Sequence, residues 1–213
     1  TVQAILPLRG KILNTWEVEQ SKLFSSETIK NIAIAIGIEP HTLDDDVDLT
    51  KLRYGKICTL CDADVDGRHI EVLVITLMMR HFPKVVLGGH LFICRAPLFR
   101  IDYPSSKKNK TKLDAKMYVQ DEKELDKAVR KIKKEYGEES YKIARFKGLG
   151  EMSPEQLWET TMDPENRRLV RMQVELDNWA EIETHFTNLM GKDEAKWRKE
   201  WMEEFGNTVE VDV

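Results

Sequence analysis

Asp62, Asp64 and Asp66 stand at alternate positions in the run Leu60-Cys61-Asp62-Ala63-Asp64-Val65-Asp66-Gly67, and a glycine closes it. In an extended or gently turning backbone, residues two apart point to the same side. The three carboxylates are therefore expected to aim at one point. Three negative charges in so small a volume repel one another, and a cation among them removes that cost. An oxygen-only donor set suits a hard ion, Mg²⁺ or Ca²⁺. The calcium reading is an EF-hand loop, which also opens D-x-D-x-D-G but needs a bidentate Glu at its twelfth position. Counted from Asp62 that position is Leu73, and Glu71 comes two residues early. A plainer reading is an acidic cluster at a helix N-terminus, favoured by the helix dipole. It accounts for one Asp, or two, but not for three and a glycine.

The flanks decide between the ions. Lys56 to Cys61 reads as a buried strand, and His69 to Phe82 as a mostly buried helix ended by Pro83. An EF-hand loop is entered from a helix, not from a strand. Strand, acidic loop and helix make the first part of a βαβ unit, where ligands bind at the carboxyl ends of the strands. This favours Mg²⁺ as the cofactor.

Composition bounds the rest. The chain has 213 residues, 41% hydrophobic and 33% charged, enough for one large domain or two small ones with a real core. The net charge of −4 rules out a globally basic nucleic-acid binder, so any DNA contact must come from local patches. Three cysteines, at 58, 61 and 94, fit a reducing cytoplasm. Cys58-x-x-Cys61 looks like a redox or zinc half-site. It lies in the expected strand, where residues three apart face opposite ways, and nothing in the sequence completes a zinc site. Buried core cysteines are the better reading. The apolar stretch Ile70–Met79 is too short to span a bilayer and carries Glu71. The chain opens Thr1-Val2-Gln3 without a methionine and reads as a piece of a longer polypeptide.

Along the chain, the apolar run Ala4–Leu8 leads into Arg9-Gly10-Lys11-Ile12-Leu13-Asn14, two cations around a glycine with an amide close by. Cations neutralise phosphate and glycine lets backbone approach it; a solvated turn reads equally well. Ser26 to Ile36 is a capped helix stopped by Gly37, and Asp44, Asp45, Asp46 and Asp48 lie in a solvated loop. His90 to Ile101 reads as a strand bent at Pro97, and Tyr103 to Lys116 as a basic, irregular excursion. Glu122 to Tyr136 is an amphipathic helix with Leu125, Ala128, Val129 and Ile132 inward. A strand over Tyr141–Phe146 ends in the glycine-paired turn Lys147–Met152, and Ser153-Pro154-Glu155-Gln156 is a helix start. Arg167–Met172 is a basic segment. Ala180–Met190 and Asp193–Phe205 are helices joined near Gly191, with Trp197 and Trp201 four apart as core or docking anchors.

Four segments together resemble a known family. They are Leu6–Asn14, Asp62–Ile70, Arg145-Phe146-Lys147-Gly148-Leu149-Gly150-Glu151-Met152, and Leu189–Asp193 with Arg198. Their order and spacing are similar to those of the carboxyl-terminal half of the B subunit of bacterial type IIA DNA topoisomerases. Arg9–Val18 resembles the topoisomerase IV branch more than gyrase, as does the modest length between the acidic loop and Arg145. The resemblance implies an α/β fold: a TOPRIM domain (Rossmann-like, mostly parallel sheet flanked by helices) over 1–160, truncated at its first strand, and a helical tail over 161–213. It implies a part of an ATP-dependent enzyme in which the A subunit's tyrosine attacks a DNA phosphodiester in a reversible transesterification. Mg²⁺ would be held by Asp62 and Asp64, with Asp66 as an outer or alternate ligand. Lys11, Asn14, His69 and Arg198 fall at DNA-contacting positions, and Arg9 where quinolone-type inhibitors are sensed. The implied partners are DNA and the A subunit, in an A2B2 heterotetramer with no membrane association. ATP belongs to an amino-terminal domain outside this sequence.

The family's metal-binding general acid/base is a glutamate upstream of the segment matching Leu6. No catalytic residue of that kind is thus expected within these 213 residues, and the piece alone is expected to be unable to cleave DNA. Three other readings stand beside this one: a gyrase B region, a non-catalytic DNA- or partner-docking module, and a different TOPRIM protein such as a primase or nuclease. The last is not expected to carry the Arg9–Asn14 or Arg145–Met152 runs.

Overall fold

A computed structural model describes residues 2–106 and 112–208. Two compact units emerge, and neither is continuous in sequence. Among the described residues, one comprises 2–59, 68–93 and 171–208; the other comprises 60–67, 94–106 and 112–170. Of the tail expected over 161–213, residues 171–208 group with the first unit and 161–170 with the second. Among the described residues the strands form two three-stranded sheets.

After α1 (Gln20–Leu23) comes α2 (Glu27–Ile36), which buries Ile29, Ile32, Ala33 and Ile36, the spacing of one helical face. It ends where expected, at Gly37, whose φ of 82° is the left-handed conformation that favours glycine. The expected strand of Lys56–Cys61 is β1 (Ile57–Thr59), and α3 runs Val65–His81, four residues earlier than its apolar stretch alone suggests. Pro83 opens the short α4 (Pro83–Leu87) at a position where its missing N–H costs nothing. β2 (Leu91–Arg95) pairs in parallel with β1, Ile57 opposite Leu91. The connection from β1 to β2 is therefore a helical crossover, as the strand–loop–helix pattern requires.

The core of the first unit gathers Leu23, Ile29, Leu77, Phe82, Val85 and Leu91, each essentially without solvent exposure. Two histidines are buried against it. His41 Nε2 accepts the Lys84 N–H at 3.2 Å, while its Nδ1 lies 2.8 Å from the Glu39 carbonyl, which fixes a neutral tautomer. His81 Nε2 lies 3.0 Å from the Thr15 carbonyl. Burial lowers both pKa values from the ordinary 6.5, against the raising effect of those carbonyls and, for His41, of Asp45; Lys84 and Arg80 push the same way as burial. The folded state thus resists protons that the unfolded chain accepts. Stability is complete above about pH 6.5 and declines as pH falls below it towards the folded-state values. Thermal midpoints measured from pH 7.5 to 5.5 should fall, and His41→Gln should flatten part of that slope. A midpoint that rises on acidification would refute the assignment.

The second unit departs from a mostly parallel sheet. Pro97 does not bend one strand but separates two: β2, and β3 (Phe99–Tyr103) in the other sheet. β4 (Ala115–Val119) pairs antiparallel with β3, Asp102 opposite Lys116, so part of the stretch expected to be irregular is strand. Residues 107–111 of that stretch lie outside the described residues. A return this short leaves no room for the crossover that a parallel pair needs. α5 spans Glu122–Tyr136, capped by Asp121 accepting the Glu124 N–H at 2.7 Å, and it lays Ala128 and Ile132 on Phe99, Ile101 and Val119. β5 (Lys142–Arg145) pairs antiparallel with β3 on its other side. α6 (Pro154–Leu157) begins with a full capping box, Ser153 with Gln156, and is prolonged by a wide turn over Trp158–Met162. The basic segment Arg167–Met172 is not merely a loop: it contains β6 (Arg168–Arg171). The fold ends in α7 (Trp179–Met190) and α8 (Ala195–Phe205). On α8, Trp197 stacks on Trp201 and Trp201 meets Phe205 along one face.

The cysteines are not all core residues. Cys94 is buried and Cys61 partly so, but Cys58 is exposed. β1 is three residues long and stands at the end of its sheet order, so it has little of the cover that a long central strand receives. The apolar run 4–8 takes no regular structure, and Ile5 and Leu6 are exposed.

Candidate functional site

The acidic loop begins just past β1, and its geometry is set by two close approaches. Gly67 is buried against the Asp62 backbone, and a Cβ at 67 would collide with the Asp62 carbonyl oxygen. Only glycine lets the loop close so tightly before α3 departs. The second approach comes from the Lys147–Met152 turn. The Leu149 N–H donates to Asp62 Oδ1 at 2.8 Å, and a Cβ on Gly148 would lie 3.1 Å from the same oxygen. Two sequence motifs 87 residues apart are thus joined at one carboxylate.

The three aspartates take different positions. Asp62 is exposed with Oδ1 on Leu149. Asp64 is exposed and its Oδ1 accepts the Gly67 N–H at 2.7 Å, which caps the first turn of α3. Asp66 is exposed in that first turn. Among the described residues, no group of three or more His, Cys, Asp or Glu is arranged to hold a metal ion. The expected three-way focus therefore does not form. The reason is local: alternation holds for extended chain, but α3 starts at Val65, and residues two apart on a helix point in widely different directions. The plain N-cap reading holds for Asp64.

The donor set nonetheless suits Mg²⁺. It is all oxygen and solvent-facing, and Asp62 and Asp64 each accept a backbone N–H. Mg²⁺ commonly keeps several waters and takes only one or two protein carboxylates, completing its shell with phosphate oxygens. An open site with Asp62 as its fixed member meets that requirement; the described residues form no closed three-carboxylate cage.

A second set of motif residues meets in the other unit. Arg9 and Lys11 are exposed around Gly10, whose φ is 77°, and Ile12 and Trp16 are buried behind them. Asn14 does not extend its amide outward: Nδ2 donates to the Met190 carbonyl at 2.8 Å, and Oδ1 accepts the Trp16 N–H at 3.1 Å. Arg198, half-buried, donates through Nη1 to the carbonyls of Gly191 at 2.7 Å and Asn188 at 3.1 Å. His69 is exposed on α3, one residue after Arg68, which pairs with the buried Glu71 at 3.2 Å. Of the candidate nucleic-acid contacts, Lys11 and His69 are exposed, while Asn14 and Arg198 have side-chain groups committed to backbone carbonyls. Glu17 accepts the Lys192 N–H at 3.2 Å, a role that no motif in the sequence marks out. The backbone N–H of Leu149 was equally hidden, because a main-chain donor has no signature in residue type.

The second unit also holds a polar cleft of about 320 Å³ lined by Pro97, Tyr118, Gln120, Glu159, Thr160, Asn166 and Arg168. Tyr118 donates to Glu159 at 3.1 Å, and burial together with that carboxylate pushes its pKa up to about 12. Its hydroxyl keeps its proton at neutral pH. No helix among the described residues is long and apolar enough to cross a membrane.

Comparison with known proteins fits the motifs. A family described as "DNA gyrase B subunit, carboxyl terminus" matches residues 138–203. The chain is 45% identical over 213 residues to the B subunit of DNA topoisomerase 4 from Haemophilus influenzae, covering 99% of this chain and 31% of that protein. It is 44% identical over 209 residues to the corresponding protein of Pseudomonas aeruginosa, covering 98% of this chain and 31% of that protein. To the B subunit of DNA gyrase from Clostridium acetobutylicum it is 42% identical over 202 residues, covering 95% of this chain and 29% of that protein. The chain spans about a third of the length of the curated relatives it matches. Identity this high over nearly the whole chain means that this chain belongs to the family of bacterial DNA topoisomerase B subunits.

Proposed function

We propose that the chain is the Mg²⁺-binding TOPRIM region and helical tail of a topoisomerase IV B subunit. In the full-length protein it supports double-strand DNA cleavage and religation, and thereby ATP-driven decatenation and relaxation in the cytoplasm, with the A subunit in an A2B2 assembly. The observation that carries the reading is the tie between Asp62 and the Gly148-Leu149 backbone, which gives one exposed acid a fixed place. Asp62 and Asp64 are the metal ligands, and Asp66 is an outer or alternate one. A bound Mg²⁺ would offset charge on the scissile or an adjacent phosphate. The chain's own part is to hold Asp62 in place through Leu149, to seat Asp64 at the start of α3, and to offer Lys11 and His69 to the DNA backbone. Arg9, exposed beside Gly10, stands where inhibitors are sensed.

Topoisomerase IV is favoured over gyrase because the identity to topoisomerase 4 B subunits reaches 45% over 99% of the chain, against 42% over 95% for a gyrase relative. The test is reconstitution. The full-length protein is mixed with the A subunit of topoisomerase IV or of gyrase, and decatenation of linked DNA circles is followed with Mg²⁺ and ATP. Decatenation with the topoisomerase IV partner supports the reading. Activity only with the gyrase partner moves the chain to gyrase, and Mg²⁺-independent cleavage rejects the metal role.

A further inference from the structure

Every α-helix leaves its last four carbonyls without helical partners. In α7 those are Thr187, Asn188, Leu189 and Met190, and each has found one. The Gly191 N–H donates to Thr187 at 2.8 Å. Arg198 Nη1 reaches Asn188 at 3.1 Å and, less closely, Leu189 at 3.4 Å, and it also holds the Gly191 carbonyl at 2.7 Å. Asn14 Nδ2 takes Met190 at 2.8 Å. The helix end carries partial negative charge, so a guanidinium is the fitting cap.

The same turn is gripped from the other side by residues 14–17. Trp16 Nε1 donates to Thr187 Oγ1 at 3.0 Å, and the indole stacks on Phe186 at 5.2 Å. Glu17 Oε1 accepts the Lys192 N–H at 3.2 Å. Gly191 fits between them, for a Cβ there would meet both the Thr187 carbonyl at 2.6 Å and Glu17 at 3.3 Å. All these groups lie within one unit.

We infer that Asn14, Glu17 and Arg198 are positioning residues that clasp the Arg9–Lys11 loop to the α7–α8 turn. Their task is to hold the exposed Lys11 at a fixed place and angle; Arg198 serves through the helix end rather than by touching phosphate. The helical tail is then the support of the basic loop. This rests on the DNA-binding reading above, and it makes a prediction whose sign is opposite to simple electrostatics. Removing the negative charge of Glu17 should strengthen attraction to a polyanion if charge is all that counts. A clasp predicts the reverse.

The experiment uses the full-length protein in complex with its A subunit and a fluorescent DNA duplex, read by anisotropy over a salt series. Glu17→Ala is expected to weaken binding about threefold or more, although it makes the protein less negative. Arg198→Gln is expected to weaken binding while leaving the slope of log K against log salt unchanged. Loss of a direct phosphate contact would instead lower that slope by about 0.9. Amide hydrogen exchange at Lys11 and Ile12 should quicken in both variants, a readout independent of DNA. Equal or tighter binding by Glu17→Ala, a slope reduced by Arg198→Gln, or unchanged exchange at Lys11 would each overturn the clasp. If the unmutated assembly does not bind duplex DNA, the proposed function fails, and exchange at Lys11 still decides whether the clasp exists.

Discussion

Asp62→Ala in the full-length protein, assayed with its A subunit, should lower Mg²⁺-dependent DNA cleavage by roughly 10²-fold or more, the size seen when one fixed charge-stabilising group is removed from an active site. Asp62 is held in place by a partner outside its own loop, through the 2.8 Å bond from Leu149. Its side chain is exposed, so truncation leaves no cavity and folding should be untouched, which circular dichroism would check. Asp46→Ala, an exposed acid in the 40–50 loop, should change cleavage less than twofold and serves as the control for charge alone. Gly148→Ala grades the effect. Its backbone, at φ −160°, accepts any residue, but the new Cβ would sit 3.1 Å from Asp62 Oδ1 and 3.2 Å from its Cγ. The carboxylate must shift by a few tenths of an ångström, and a smaller loss should follow, together with weaker Mn²⁺ binding in a direct titration. Cleavage by Asp62→Ala within twofold of the unmutated protein would remove the metal role from this loop.

The largest stability effect is expected at Leu77. It lies on α3 with no solvent exposure, among the core residues of the first unit. Leu77→Ala deletes three buried carbons and leaves a space that neighbours on a packed helix cannot fill, a change that costs about 2–5 kcal/mol. Val72→Ala on the same helix, at a position 40% exposed, should cost under about 1 kcal/mol. Urea unfolding followed by tryptophan fluorescence gives both numbers. A loss at Leu77 no greater than at Val72 would mean that α3 is not anchored as described. The two predictions are linked, since α3 is the helix whose first turn Asp64 caps and Asp66 occupies.

Local rules made much of this fold legible in the sequence. The helix Glu122–Tyr136 follows from its apolar spacing and its Asp121 cap, and the α6 start follows from Ser153-Pro154-Glu155-Gln156. Gly37 and Pro83 act within a few residues of themselves and stop or start helices as expected. β4 and β6 were not legible, because each is a short strand with too few residues to set a pattern, and its strongest instruction is its neighbour. For the same reason the parallel order expected of the whole sheet holds for β1 with β2 but gives way to antiparallel pairing around β3.

The composition and order of residues determined by themselves that three acids would stand at a strand–helix junction, that a glycine would close the loop, and that a basic turn and a glycine-paired turn would lie elsewhere in the chain. Only the tertiary structure decided what those groups do. It made Asp64 a cap, bound Asp62 to the backbone of residue 149, and spent Asn14 and Arg198 on the end of α7. The physical reason has two parts. A side chain's direction depends on the dihedrals of its own segment. Its partner is often a main-chain N–H or C=O, which nearly every residue type supplies alike and whose place is set by distant packing.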